Sequence, residues 1–177
     1  MNFSRRLKWR AAALAALVFA ADRASKAMVE AWLDLNQPWP VLGEHLHFTH
    51  ARNRGIVWGI MNNADNPLSG WPIAVFSGLV LAALVVYFVT APATKRLLHV
   101  SLALVIGGAA GNLWDRVVRG FVTDFIEADL GFMRWPTFNV ADLAISVGVG
   151  LMALDILFGD DPEPVPPAQR AGAGSGP

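Results

Sequence analysis

The sequence contains no cysteine, one tyrosine and little charge: Asp, Glu, Lys and Arg make up 16% of its 177 residues, against about 25% in a soluble domain. The missing cysteine excludes disulfides, thiolate metal sites and a cysteine nucleophile. Basic and acidic side chains balance at 14 each. No polyanionic partner is implied, and nucleic-acid binding is disfavoured. A Gly-rich phosphate loop, an HExxH motif and an internal repeat are also missing, and the lack of a repeat argues against an inverted-repeat transporter. What is present is apolar: 54% of residues are hydrophobic and the mean hydropathy is +0.42. These residues come in long runs rather than stripes, as in a chain that crosses a bilayer.

A hydrocarbon core of about 30 Å needs about 20 apolar helical residues. Residues 72–90 carry no charge, residues 97–114 are broken only by His99 and Asn112, and residues 138–158 include Asp142 and Asp155. The first segment is less clear. After Arg5, Arg6, Lys8 and Arg10, only residues 11–21 are apolar before Asp22. A cleavable signal peptide ending at Val18-Phe19-Ala20 is one reading. The preferred one is a helix continuing through Asp22, Arg23 and Lys26 to Trp32, with Asp22 and Lys26 four residues apart on one side. The expected fold is therefore an all-α membrane protein with four transmembrane helices, at about 11–32, 72–90, 97–114 and 138–158. The outer segment 33–70 forms a small β-rich cradle and lid. Alternation in 41–60 suggests strands, with Gly43, Gly55 and Gly59 at turns or bulges. Residues 160–177, rich in Pro, Gly and Ala, read as a disordered, dispensable tail outside a 1–159 domain. Summed basic residues fall seven to a side, so the four at the N-terminus and the short Lys95–Arg96 turn decide orientation: both termini cytoplasmic.

The polar residues gather at one membrane face. Asp22 and Lys26 lie toward the outer end of the first span, Asn112, Asp115 and Arg116 at that end of the third, and Asn139 and Asp142 at that end of the fourth. Asp124 sits in the link between the last two. Asn112, Asp115, Arg116 and Arg119 share one helix face, as do Asn139 and Asp142. An ionisable residue at such depth costs about 2.5–3.5 kcal/mol, so it is paired or functional. Asp22 with Lys26, and Asp115 with Arg116, can be ordinary ion pairs. Asp124 and Asp142 have no Lys or Arg three or four residues away. If their oxygens meet, repulsion splits their pKa values, and one carboxylate can activate water while the other donates a proton to a peptide carbonyl. That is the chemistry of aspartic proteolysis, although composition alone leaves the pair open. The small-residue run 107–111 lets a neighbouring helix approach closely. Two weaker constellations remain: His45, His47 and His50 as a metal site lacking an evident fourth ligand, and Ser25 with Lys26, which point about 100° apart on a helix.

Five segments bear a family resemblance: Asp22-Arg23-Ala24-Ser25-Lys26, Asn53-Arg54-Gly55, the run Gly107-Gly108-Ala109-Ala110-Gly111-Asn112-Leu113-Trp114-Asp115-Arg116, Gly120 to Ile126, and Phe138-Asn139-Val140-Ala141-Asp142. Over residues 9–158 the chain resembles lipoprotein signal peptidase, the bacterial signal peptidase II. The resemblance implies an intramembrane aspartic endopeptidase with Asp124 and Asp142 as the catalytic pair and no metal or cofactor. Its substrate would be a diacylglyceryl-modified prolipoprotein, cut just before the lipidated Cys. Asn53, Gly55, Asn112, Arg116 and Asn139 map onto positions that line or support the substrate groove, and Asp22 and Lys26 onto a structural or substrate-positioning motif. A monomer in the bacterial inner membrane, in contact with lipid and without nucleic acid, is expected, its site near the extracytoplasmic face. Departures stand at Val57 and Trp58, where a small residue and Phe are usual, and at Leu143, where Ser is common. The alternatives are an inactive lipoprotein-binding protein and a small proton-coupled transporter. Transport needs a polar path, and the inner halves of the spans offer only His99 and Asp155.

Overall fold

Four helices and three strands follow in the order α1 (Phe3–Trp32), β1 (Trp39–Leu42), β2 (Leu46–Asn53), α2 (Trp71–Thr90), α3 (Arg96–Arg119), β3 (Val122–Ala128) and α4 (Val140–Phe158). The structure, a computed structural model, describes residues 3–55 and 71–158. Val57, Trp58, Gly59 and the 160–177 tail lie outside the described residues. Among those described, α2, α3 and α4 are long and apolar enough to cross a membrane. The chain is a membrane protein, mostly helical, with a small sheet. The 30-residue α1 carries Asp22, Arg23 and Lys26 in its second half. Its charged residues lower its hydropathy, although Asp22 and Lys26 are fully buried.

α3 is the hub. It packs against α1, α2 and α4, and its buried face runs from Leu98 to Asp115. The glycines make that possible. A Cβ at Gly107 would meet the Ala15 carbonyl oxygen of α1 at 2.5 Å, and one at Gly108 the Ala141 carbonyl oxygen of α4 at 2.5 Å. The small-residue run thus admits two neighbours on adjacent faces. By contrast α2 buries only Ala74; Phe76, Leu79 and Val86 are among its exposed side chains. Such a surface would aggregate in water and suits contact with lipid. α3 runs five residues past the expected end and stops at Gly120, which takes φ +76° and returns its N–H to the Arg116 carbonyl.

The sheet order is β1-β2-β3, both pairs antiparallel. The hairpin turns at Gly43, with φ +53°, a conformation glycine takes without strain. The third strand was not expected: residues 122–128, read as part of a link, pair with β2. Between Phe48↔Ile126 and Ala51↔Asp124 the register shifts by one residue, a β-bulge with Thr49 and His50 opposite Phe125. Side chains alternate with period two, so one extra residue exchanges the faces. Without the bulge Arg52 would share the face of Asp124. With it, Asn53 does.

Candidate active site

Asp142 is fixed by the local chemistry of its own helix start. Asn139 caps α4: its Oδ1 accepts the Asp142 N–H at 3.0 Å, while Asp142 Oδ2 accepts the Asn139 N–H at 3.2 Å. This is a reciprocal capping box with Asp at the third helical position. A third first-turn donor, the Ala141 N–H, goes to Asp22 Oδ1 on α1 at 3.0 Å. α1 and α4 therefore meet at one helix terminus.

Asp124 is brought to the same place by β3. The residue before the cap, Phe138, is clipped to that strand. Its N–H donates to Ile126 O at 3.0 Å, and its carbonyl accepts from Phe125 and Ile126 at 3.0 and 2.8 Å. Asn139 Nδ2 then donates to Asp124 Oδ1 at 2.6 Å. Asp124 Oδ2 accepts from Asn53 Nδ2 at 2.9 Å, across the face that the bulge exchanged. Asn112 on α3 supplies the opposite wall, donating to Asp142 Oδ1 at 2.8 Å. Three asparagines thus cradle two carboxylates, and Asn139 bonds both. Asp124 is 3% exposed. Burial pushes its carboxyl up to about 6, the Asn53 bond opposes the shift, and the nearby Asp142 charge adds to it.

A fully buried ion cluster stands behind the cradle. Lys26 Nζ contacts Asp22 at 2.8 Å, Asp115 at 2.9 Å and Asn112 Oδ1 at 2.9 Å. The expected Asp22–Lys26 pair forms. The expected Asp115–Arg116 pair does not: Asp115 turns toward α1 and is bound by Lys26 and Arg23. Gly111 leaves the space that the Asp22 carboxylate occupies. Arg116 lies on the site side, its NH1 on the Asn112 carbonyl at 3.3 Å and its charge sensed by both Asp142 and Asp124. Gly55, at φ +73°, brings its backbone against Ile73 and Arg116. Its N–H donates to Asn53 Oδ1 at 2.7 Å, which orients the Asn53 amide toward Asp124. Asp22, Lys26, Asn53, Gly55, Asn112, Arg116, Asp124, Asn139 and Asp142 therefore form one connected assembly.

The residues of the weaker constellations make other bonds. Ser25 Oγ donates to the Asp22 carbonyl, and Lys26 is fully committed elsewhere. His45 and His50 bond the Asp129 and Leu33 carbonyls. A further brace was missed from sequence: Glu30 of α1 receives Arg119 and the Thr123 hydroxyl, which holds β3 beside Asp124. β-branched Val122, Thr123 and Ile126 following Gly120 were the available signal for that strand.

A sequence-family model described as signal peptidase (SPase) II matches residues 14–158. The chain belongs to that family. It is a peptidase, and a membrane protein. It is 36% identical to a lipoprotein signal peptidase of Solibacter usitatus over 85% of this chain and 92% of that one. It is 37% identical to one of Geobacillus kaustophilus over 85% and 94%. A solved structure described as a bacterial membrane enzyme superposes with a TM-score of 0.74 at 26% identity, covering 88% of this chain and 94% of that one. A second gives 0.75 at 27% over 85% and 94%. The matched region begins inside α1 and ends with α4, so it takes in every residue of the connected assembly.

Proposed function

We propose that this chain is an intramembrane aspartic endopeptidase acting on diacylglyceryl-modified bacterial prolipoproteins, cutting just before the lipidated Cys, with Asp124 and Asp142 as its catalytic pair. The substrate carries over from relatives named lipoprotein signal peptidase. The aspartic chemistry rests on one observation: Asn139 bonds Asp124 through its side chain and Asp142 through its backbone, so two carboxylates, in no ion pair among the described residues, are held in one cradle.

With one proton shared between them, the ionised member takes a proton from water, and the resulting hydroxide oxygen attacks the scissile carbonyl carbon. The protonated member donates to the carbonyl oxygen, which stabilises the tetrahedral intermediate. Collapse returns a proton to the departing amide nitrogen. The titration belongs to the pair rather than to either residue. The Asn53, Asn112 and Asn139 amides hold the carboxylates in place, and Arg116 supplies the cation that balances the charge left on them. No metal enters this scheme.

In this reading α1 is a fourth span, because Asp22 and Lys26 are turned wholly into the bundle and its remaining surface is largely apolar. The carboxylates lie toward the extracytoplasmic face of the inner membrane, the sheet is a cradle on that face, and the basic N-terminus lies in the cytoplasm. Residues 1–159 act as one monomeric unit with a dispensable tail. The test is conversion of a purified diacylglyceryl-modified precursor. Asp124→Asn and Asp142→Asn should each lose on the order of 1,000-fold in rate, with substrate still bound. Full conversion by either variant would refute the pair.

A further inference from the structure

At the end of the bundle away from the aspartates, α1 and α2 diverge around a cavity of about 490 Å³. Its walls combine two kinds of surface. Trp9, Ala12, Phe88 and Val89 supply an apolar side, while Arg5 and Lys8 stand at its mouth. Lys8 Nζ donates to the Val89 carbonyl at 2.6 Å, an end-of-helix carbonyl without an intrahelical partner. That bond fixes the ammonium at the cavity wall, and it is the one Lys8 side-chain hydrogen bond among the described residues. Arg5 is exposed. Among the described residues neither Arg5 nor Lys8 forms an ion pair, and no carboxylate lines the cavity.

We infer that this cavity binds an anionic phospholipid of the adjacent leaflet, its phosphate on Arg5 and Lys8 and the upper part of an acyl chain against Trp9 and Phe88. Basic pockets between helices at a membrane surface take anionic head groups in this way. Charge complementarity selects this occupant. A zwitterionic lipid brings its own cation to a site that already has two, and an apolar ligand leaves both without a partner. A phosphate alone fills only the mouth. The site is remote from Asp124 and Asp142, so it stands whether or not these are the catalytic pair.

The experiment is native mass spectrometry of the full chain released from detergent with phosphatidylglycerol or phosphatidylcholine, repeated with 10-fold excess inorganic phosphate. Retention of phosphatidylglycerol should exceed that of phosphatidylcholine. It should fall about 25-fold in Arg5→Gln/Lys8→Gln, since each basic residue near a lipid surface contributes about fivefold. Arg6→Gln/Arg10→Gln, with the same loss of charge but outside the cavity walls, should retain the lipid as the parent does. Quenching of Trp9 by a brominated acyl chain, read as the difference from Trp9→Phe, gives a second readout in the intact protein. Equal retention of the two lipids, equal loss in both double variants, or displacement by phosphate would each overturn the inference, the last by showing a site for the free anion.

Discussion

Replacing Asp124 by Asn should change how stability depends on pH, in a direction fixed by the burial of the carboxyl. Asp124 is 3% exposed and its pKa is raised from 3.8 to about 6. A raised carboxyl favours the folded state when protonated. Its stabilising contribution is fully present below about pH 3.8 and is lost as pH rises through about 6. The shift corresponds to a loss of at most about 3 kcal/mol above that window. Asn carries no charge at any pH and escapes the loss. It does place an amide N–H against the Asn53 or Asn139 donor, a cost of about 1 kcal/mol that does not vary with pH. Asp124→Asn should therefore melt within a few degrees of the parent at pH 4. At pH 7.5 it should lie above it by about 2 kcal/mol, or roughly 4–8 °C for a chain of this length. The assay is thermal unfolding in one detergent across pH 4–7.5. Two melting curves that run parallel over that interval would refute the reasoning, because the burial would then impose no cost on the ionised group. A variant that is more stable yet inactive is what the proposed catalytic role of this buried carboxylate predicts.

Other substitutions probe the frame. Gly148→Ala brings a Cβ to 2.8 Å from the Ser101 carbonyl oxygen, whereas Gly150 has nothing within 4 Å; melting should show Gly148→Ala destabilised by about 1–3 kcal/mol and Gly150→Ala unchanged or slightly stabilised. Lys26→Met leaves two fully buried carboxylates without their shared cation, at a cost of about 3–5 kcal/mol, read as lost yield and melting temperature; a parent-like melting curve would mean the ion cluster is not a brace. Asn53→Ala removes a hydrogen bond that favours ionised Asp124, so the bell of kcat/KM against pH should move upward by on the order of half a unit, and a downward move would contradict the assigned contact.

The three long apolar helices α2, α3 and α4 were legible because they are runs of apolar residues long enough to cross a bilayer. α2 was expected at 72–90 and lies at Trp71–Thr90. The residues that the fold brings together were legible as types and as a motif, but the way they connect was not. Nothing in Phe138-Asn139-Val140-Ala141-Asp142 announces that the same two side chains cap a helix and also bond across to β3 and α3. β3 was hidden because residues 122–128 are buried on both faces at their start, so the alternation that marks a half-solvated strand is weak there. Asp115 was assigned to Arg116 by sequence proximity. Adjacent helical residues diverge by about 100°, and the partners across the bundle, Lys26 and Arg23, lie about ninety positions away. The bulge that brings Asn53 to Asp124 depends on pairing between distant strands and leaves no local mark.

The charges of the assembly set its proton count. Lys26 and Arg23 match Asp22 and Asp115, and Arg119 matches Glu30. Among these buried or half-buried groups, Arg116 is the one cation left to face Asp124 and Asp142. Two ionised carboxylates would leave one uncompensated negative charge beside the apolar part of the bundle, and two protonated ones would leave Arg116 uncompensated. Either is unfavourable where Asp124 is buried and Asp142 and Arg116 are half-buried. One proton on the pair gives neutrality. The ion cluster behind the cradle thus does more than hold α1 against α3. With Lys26 and Arg23 bonded to Asp22 and Asp115, Arg116 is the cation on the pair's own side, and a single shared proton is what the proposed direct attack by water on a peptide bond requires.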